Sequence, residues 1–174
     1  LEAAGYQFKT NSDTEVMVHG YREWGSGLAA RLAGMFAFAI VDQRNQTFYA
    51  ARDRIGKKPF YYQERPGGLL FGSELKALLA RDDVHPSVDH AALVRYLCLR
   101  YVPDPDTIFE GIRKLPPGHQ LVRKGGRTEI SPYWSLSFGE QHSIDFNEAR
   151  EEFLGLLDRA VECRLMGDAV SYTH

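Results

Sequence analysis

The sequence predicts an α+β fold in which an antiparallel β-meander is held between covering layers. Three observations carry that expectation. Over residues 34–41, Gly-Met-Phe-Ala-Phe-Ala-Ile-Val, a strand would turn Phe36, Phe38 and Ile40 to one face and Met35, Ala37, Ala39 and Val41 to the other. Both faces are apolar, so neither is the wet side of an open sheet, and such a strand belongs in the middle of a stack. One face carries two rings and an isoleucine; the other carries alanines that let a further layer approach closely. Second, apolar runs and turn signals alternate as strand, strand, loop, strand, turn, strand through residue 71. Third, helix-start signals stand both before and after this block.

Taken in order, residues 7–10 read as a short edge of strand. Ser12-Asp13-Thr14-Glu15 has capping-box spacing, with Ser12 as cap and Glu15 reaching back to the cap amide. The helix that follows carries Met17, Tyr21 and Trp24 as one buried stripe and breaks at Gly25–Gly27. A short helix over 28–33 leads into the central strands. After the meander, Ser73 is expected to cap a helix over 74–80, with Leu75, Leu78 and Leu79 inward. Asp89 is expected to cap the next, with Leu93, Tyr96 and Leu97 packing, and Pro103 and Pro105 forbid its continuation. Residues 107–134 read as loop with short strands and a turn at 124–126. Residues 135–144 are polar and irregular and mark a linker. Asp145 then caps a helix to about Leu165, striped by Phe146, Ala149, Phe153, Leu157, Ala160 and Val161. That stripe has nothing left to cover in this chain.

Composition narrows the function. Of 174 residues, 44% are hydrophobic and 25% charged, and the formal net charge of -2 offers no basic excess for nucleic acid or an anionic membrane. Cys98 and Cys163 show no CxxC spacing, which fits a reducing, cytoplasmic setting; mid-helix among apolar neighbours, both are expected in the core. Scattered histidines give no metal spacing, and no apolar run reaches membrane-span length. The chain opens at Leu1 and closes on Ser171-Tyr172-Thr173-His174 without start or stop signals, so the expectation is a piece of a longer protein.

Asp13 is the leading candidate for chemistry. In the first turn of a helix it either serves the helix end alone or receives a cationic group such as an amino-acid ammonium. The segment Arg54-Ile55-Gly56-Lys57-Lys58-Pro59 looks phosphate-binding at first, but lacks GxxxxGK[ST] spacing and reads as a solvated connection. Arg52 and Asp53 are expected to pair with each other in a structural role, and Ser73-Glu74 with Lys76 reads as a helix start. No serine, cysteine or histidine set can be assembled into a complete active site.

Several ordered motifs carry a family resemblance. Asn11-Ser12-Asp13-Thr14-Glu15-Val16 is followed by Leu32-Ala33-Gly34-Met35-Phe36-Ala37-Phe38-Ala39-Ile40. Ala51-Arg52-Asp53-Arg54-Ile55-Gly56-Lys57-Lys58-Pro59-Phe60-Tyr61-Tyr62 and Phe71-Gly72-Ser73-Glu74-Leu75-Lys76-Ala77-Leu78 come next. Gly111-Ile112-Arg113-Lys114-Leu115-Pro116-Pro117-Gly118-His119 and Tyr133-Trp134 complete the series. Together they resemble the class II glutamine amidotransferase domain of glutamine-hydrolysing asparagine synthetases of the AsnB type. The resemblance covers nearly the whole chain. It implies an incomplete four-layer αββα sandwich of the N-terminal-nucleophile hydrolase kind over residues 1–134, a linker over 135–144, and the start of an ATP-using α/β synthetase domain over 145–174.

In that family an N-terminal cysteine attacks the glutamine side-chain amide, and an Asn-Gly pair stabilises the oxyanion. Ammonia then reaches an aspartate that ATP and Mg2+ have activated, giving asparagine, AMP and pyrophosphate. By the same resemblance Asp13 holds the glutamine α-amino group. The cysteine, the arginine for the glutamine carboxylate and the Asn-Gly-Glu segment are expected upstream of Leu1, and the SGGxDS pyrophosphate loop downstream of His174. No catalytic, ATP-binding or metal residue is therefore expected in this chain. Alone, it is expected to be inactive and, with sheet edges bared, poorly soluble. For the full-length enzyme the resemblance implies small-molecule partners (glutamine, aspartate and ATP), with no nucleic acid or membrane, and allows a homodimer. Arg164-Leu165-Met166 resembles the entry to the synthetase domain, but Gly167-Asp168-Ala169-Val170-Ser171-Tyr172 departs from the family's RLMSDVPLG pattern. Two alternatives stand beside this reading: a related amidotransferase or cyclase acting on another carboxylate, and a catalytically dead sandwich that binds an amino acid or a partner protein.

Overall fold

A computed structural model describes residues 1–139 and 143–165, and divides the chain into two compact units, Leu1–Leu136 and Ser137–His174. The expectations for residues 166–174, including the departure from family pattern, lie outside the described residues.

In the first unit, helix α1 (Asp13–Trp24) starts at Ser12, whose Oγ accepts a hydrogen bond from the Thr14 amide at 3.2 Å. A 3-10 turn at Gly25–Gly27 joins it to the short α2 (Leu28–Arg31). Residues 7–10, read from sequence as strand, are not one. Their backbone donors at Lys9 and Thr10 go to the Glu15 side chain, so no ladder forms there.

Among the described residues seven strands make two antiparallel sheets. Strands β1 (Ala37–Asp42), β2 (Thr47–Arg52), β6 (His119–Lys124) and β7 (Arg127–Pro132) lie side by side in that order. Strands β3 (Tyr61–Arg65), β4 (Gly68–Gly72) and β5 (Arg113–Lys114) form the other sheet, ordered β4-β3-β5. The expected meander is thus two hairpins in different sheets. Reading along the chain made β3 the neighbour of β2. In the structure β2 gives its second edge to β6, with Ala50 opposite Leu121, while the chain crosses to the other sheet over residues 53–60. Strand β1 lies at an edge of its sheet, and its two faces are covered in part: residues 37–40 are half-buried, while Val41, and Met35 just before the strand, are exposed, contrary to the cover expected of them.

The two faces enter two different cores. Phe38 and Ile40 pack with Met17, Tyr21 and Trp24 of α1 around buried Leu28, Ala29, Phe36, Tyr49 and Ala51. Ala37 and Ala39 face a second cluster, Ala50, Phe60, Tyr62, Leu115 and Leu121, lying between the sheets. The small alanines admit the rings of the opposite sheet, and each fully buried large side chain there contributes about 1.5–3 kcal/mol of hydrophobic stabilisation. Tyr49 ties the helices to the sheet. Its hydroxyl accepts from the Ala29 amide at 3.3 Å and lies 3.1 Å from the Ser26 carbonyl and 3.2 Å from Gln120 Oε1. The β6–β7 turn falls at the expected Gly125-Gly126 pair, whose φ angles of 57° and 79° only glycine adopts freely.

Helix α3 (Leu75–Leu79) has Glu74 at its cap position without a side-chain cap bond, so Ser73 does not cap it as expected. Leu78 is buried; Leu75 and Leu79 are half-buried. Helix α4 (His90–Leu99) is capped by Asp89, whose Oδ1 accepts from the Ala92 amide at 2.9 Å. Its buried residue is Ala92; Tyr96 and Leu97 are exposed, contrary to the packing expected of them. Of the expected stripe only Leu93 is half-buried, because the spacing of apolar residues on a mostly apolar helix does not say which of its faces is covered.

In the second unit, α5 (Phe146–Glu162) is capped by Asp145, which accepts from the Asn147 amide at 3.1 Å. Phe146, Phe153, Leu157 and Val161 of the expected stripe are all exposed.

Candidate functional site

Asp13 is the first residue of α1 and is exposed. Two of its neighbours in the motif, Ser12 and Glu15, have their side chains occupied. Glu15 Oε1 accepts from the Lys9 amide at 2.8 Å, while Oε2 accepts from the Thr10 amide at 2.7 Å and the Thr10 hydroxyl at 2.6 Å. Thr10 Oγ1 in turn accepts from the Ser12 amide at 3.3 Å, and Ser12 caps Thr14. The Glu15 carboxylate thus reaches past the cap amide, which the capping-box spacing had assigned to it, to the two amides before it. Asp13 makes no side-chain hydrogen bond or ion pair among the described residues, whereas the carboxylate of Glu15 beside it is fully engaged.

Hydrogen bonds from Thr10 and Lys9 hold the Glu15 carboxyl down to about 2, against an ordinary value of 4.5. A depressed carboxyl stabilises the native arrangement above its ordinary value and loses that contribution as pH falls through the depressed one. The Thr10 amide resonance should therefore titrate with a midpoint near pH 2. A midpoint near 4.5 in an NMR titration would rule out the clamp.

The remaining candidates resolve structurally. Arg52 and Asp53 are buried but do not pair with each other. Arg52 donates from Nε to the Lys58 carbonyl at 2.8 Å and from its terminal nitrogens to the Leu115 and Gly56 carbonyls. It also pairs with Asp104 at 2.9 Å, and Lys114 meets the other Asp104 oxygen at 2.8 Å. Asp53 accepts from the Lys57 and Lys58 amides, each at 2.9 Å. The 54–59 loop is therefore wound about these two side chains, not merely solvated, and the two amides a phosphate cradle would need are already taken. Gly56 is required there: its φ is 68°, and a Cβ would stand 2.9 Å from the Arg52 guanidinium carbon. Sequence reasoning missed this network because Asp104 lies 52 residues from Arg52. Lys76 pairs with Glu74 on the surface.

Both cysteines are exposed, so the expectation that they lie in the core is corrected; the apolar residues beside them in sequence face solvent as well. Among the described residues no His, Cys, Asp and Glu cluster could hold a metal ion, and no helix is long and apolar enough to cross a membrane.

A glutamine amidotransferase domain model matches residues 1–134. The chain belongs to the glutamine amidotransferase family. This amidotransferase chain is 38% identical over 169 residues to asparagine synthetase [glutamine-hydrolyzing] 3 of Bacillus subtilis, covering 97% of the chain and 27% of that relative. It is 34% identical to amidase chry2 of Gibberella zeae, covering 94% of the chain and 24% of the relative. With a putative asparagine synthetase [glutamine-hydrolyzing] 2 of Methanocaldococcus jannaschii it shares 31% identity, over 96% of the chain and 33% of the relative. The amidotransferase chain thus spans about a quarter to a third of the length of these relatives.

Proposed function

We propose that residues 1–134 are the glutamine-handling part of a glutamine-dependent asparagine synthetase, folded as a four-layer αββα sandwich of the N-terminal-nucleophile kind. Residues 135–144 are the linker and residues 145–174 begin the synthetase domain. In the whole enzyme, glutamine is hydrolysed to glutamate and ammonia, and the ammonia meets an aspartate activated by ATP and Mg2+. The enzyme works in the cytoplasm and can pair as a homodimer. Nothing among the described residues fits ATP or Mg2+, since the 54–59 amides are spent on Asp53 and no carboxylate cluster is available.

The observation that carries the reading is Asp13: an exposed carboxylate, without a partner among the described residues while the Ser12 and Glu15 side chains on either side are engaged, at the position where the family motif binds the glutamine ammonium. Its role is electrostatic and positional. It pairs with the ammonium and so orients the side-chain amide toward an attacking thiolate. Neither Cys98 nor Cys163 supplies that thiolate. Each has its α-nitrogen in a peptide bond, whereas the attacking cysteine of this chemistry uses its own free α-amino group as base.

The test is an NMR titration of the 174-residue chain with L-glutamine and, separately, with N-acetylglutamine, which lacks the ammonium. Amide shifts at Asp13 and Thr14 should appear with glutamine only and vanish in Asp13→Asn, while no glutamate is released. Equal responses to the two ligands, or glutamate release, would refute the reading. A second reading, amidation of a carboxylate other than aspartate, is kept because the chain is about as similar to two relatives that are not named asparagine synthetases as to some that are.

A further inference from the structure

Helix α1 needs a cap, and Ser12 provides one. Glu15 therefore is not needed for that purpose, and its carboxylate is turned to residues outside the helix. It takes the backbone donors of Lys9 and Thr10 and the Thr10 hydroxyl, which itself holds the Ser12 amide. Lys9 and Thr10 directly, and Ser12 through the Thr10 hydroxyl, are thereby wired to a side chain two positions after Asp13. His19, one turn further on, stands behind this clamp with Nε2 3.5 Å from Glu15 Oε1. Its ring packs against Tyr6 at 5.0 Å and edge-on to Phe8 at 5.1 Å, so the carboxylate is backed by bulk as well as bonded in front.

We infer that Glu15 is a positioning residue for recognition at Asp13: it fixes residues 9–12, and with them the place and direction of the Asp13 carboxylate. This rests on the reading of Asp13 as the partner of the glutamine ammonium. A single exposed carboxylate on a loose strand-like lead-in would lose conformational freedom on binding. One whose backbone is already fixed loses less, so more of the ion-pair energy appears as affinity. Glu15 itself touches no ligand.

The experiment compares Glu15→Ala, Glu15→Gln and Thr10→Val with the unaltered chain, titrating L-glutamine and following the Asp13 and Thr14 amides. Hydrogen exchange at Lys9 and Thr10 and the thermal midpoint are read alongside. Glu15→Ala should weaken glutamine binding about ten-fold and expose the Lys9 and Thr10 amides, with α1 still helical by circular dichroism. Glu15→Gln should rescue part of the affinity, because one acceptor oxygen survives. Thr10→Val, which leaves Glu15 in place, should move affinity in the same direction by less. A purely structural Glu15 would lower the thermal midpoint and leave the affinity of the folded protein unchanged; that result overturns the inference, as does continued protection of both amides in Glu15→Ala. An unaltered chain that gives no ammonium-dependent response overturns the reading of Asp13 itself and the inference with it. A chain that responds, beside a Glu15→Ala variant that responds equally, overturns the inference alone.

Discussion

Arg52→Met should destabilise the first unit by about 3–5 kcal/mol, seen as a large drop in the urea midpoint. The Arg52 side chain is 10% exposed and spends its donors on three backbone carbonyls and on Asp104. Those carbonyls belong to Gly56, Lys58 and Leu115, so one guanidinium fixes the crossing between the sheets and joins it to the strand entering from residue 115. Methionine fills much of the volume but satisfies none of the acceptors, and a buried carbonyl without a donor bears its full desolvation cost. Arg52→Lys should recover little, since an ammonium is a single point and cannot reach acceptors spread around a planar fork. The exposed Lys76–Glu74 pair is the control: Lys76→Ala should change stability by less than about 0.5 kcal/mol. An Arg52→Met midpoint indistinguishable from that control would show that the crossing does not depend on the network.

Leu121→Ala should cost about 2–5 kcal/mol, from lost burial and the cavity left between the sheets. Leu121 is 0% exposed, opposite Ala50 in the neighbouring strand, and packs with Phe60, Tyr62 and Leu115. The alanines of β1 and β2 cannot refill the space, because their small size is what brought the rings of the other sheet close. Leu97→Ala makes the opposite case. Periodicity turned Leu97 inward, but it is 71% exposed, and its truncation should stay within about 0.5 kcal/mol. If Leu97→Ala proved as costly as Leu121→Ala, the face of α4 that is covered would be the one periodicity chose.

These two leucines also mark how far the sequence could be read. The doubly apolar strand was legible because alternation fixes side-chain faces locally: Phe38 and Ile40 meet one core, and Ala37 and Ala39 the other. The caps at Ser12, Asp89 and Asp145 were legible too, since a cap bond spans two or three residues. Glu15 was half legible: its spacing announced a reach backward, but its actual acceptor duty lies with Lys9 and Thr10. Cys98 was misread because apolar sequence neighbours on a helix need not be spatial neighbours in a core.

By itself the sequence determined what is local and what is carried by ordered motifs: the α+β class, the helix starts, the alternating faces, and membership of the glutamine amidotransferase family. Only the tertiary structure decided that the hairpins part into two sheets, that Arg52 is held by Asp104 and not Asp53, and which face of α4 is bare. The reason is physical. Caps and alternation are settled by bonds and angles within a few residues, whereas strand partners and buried ion pairs are chosen in competition among groups tens of residues apart.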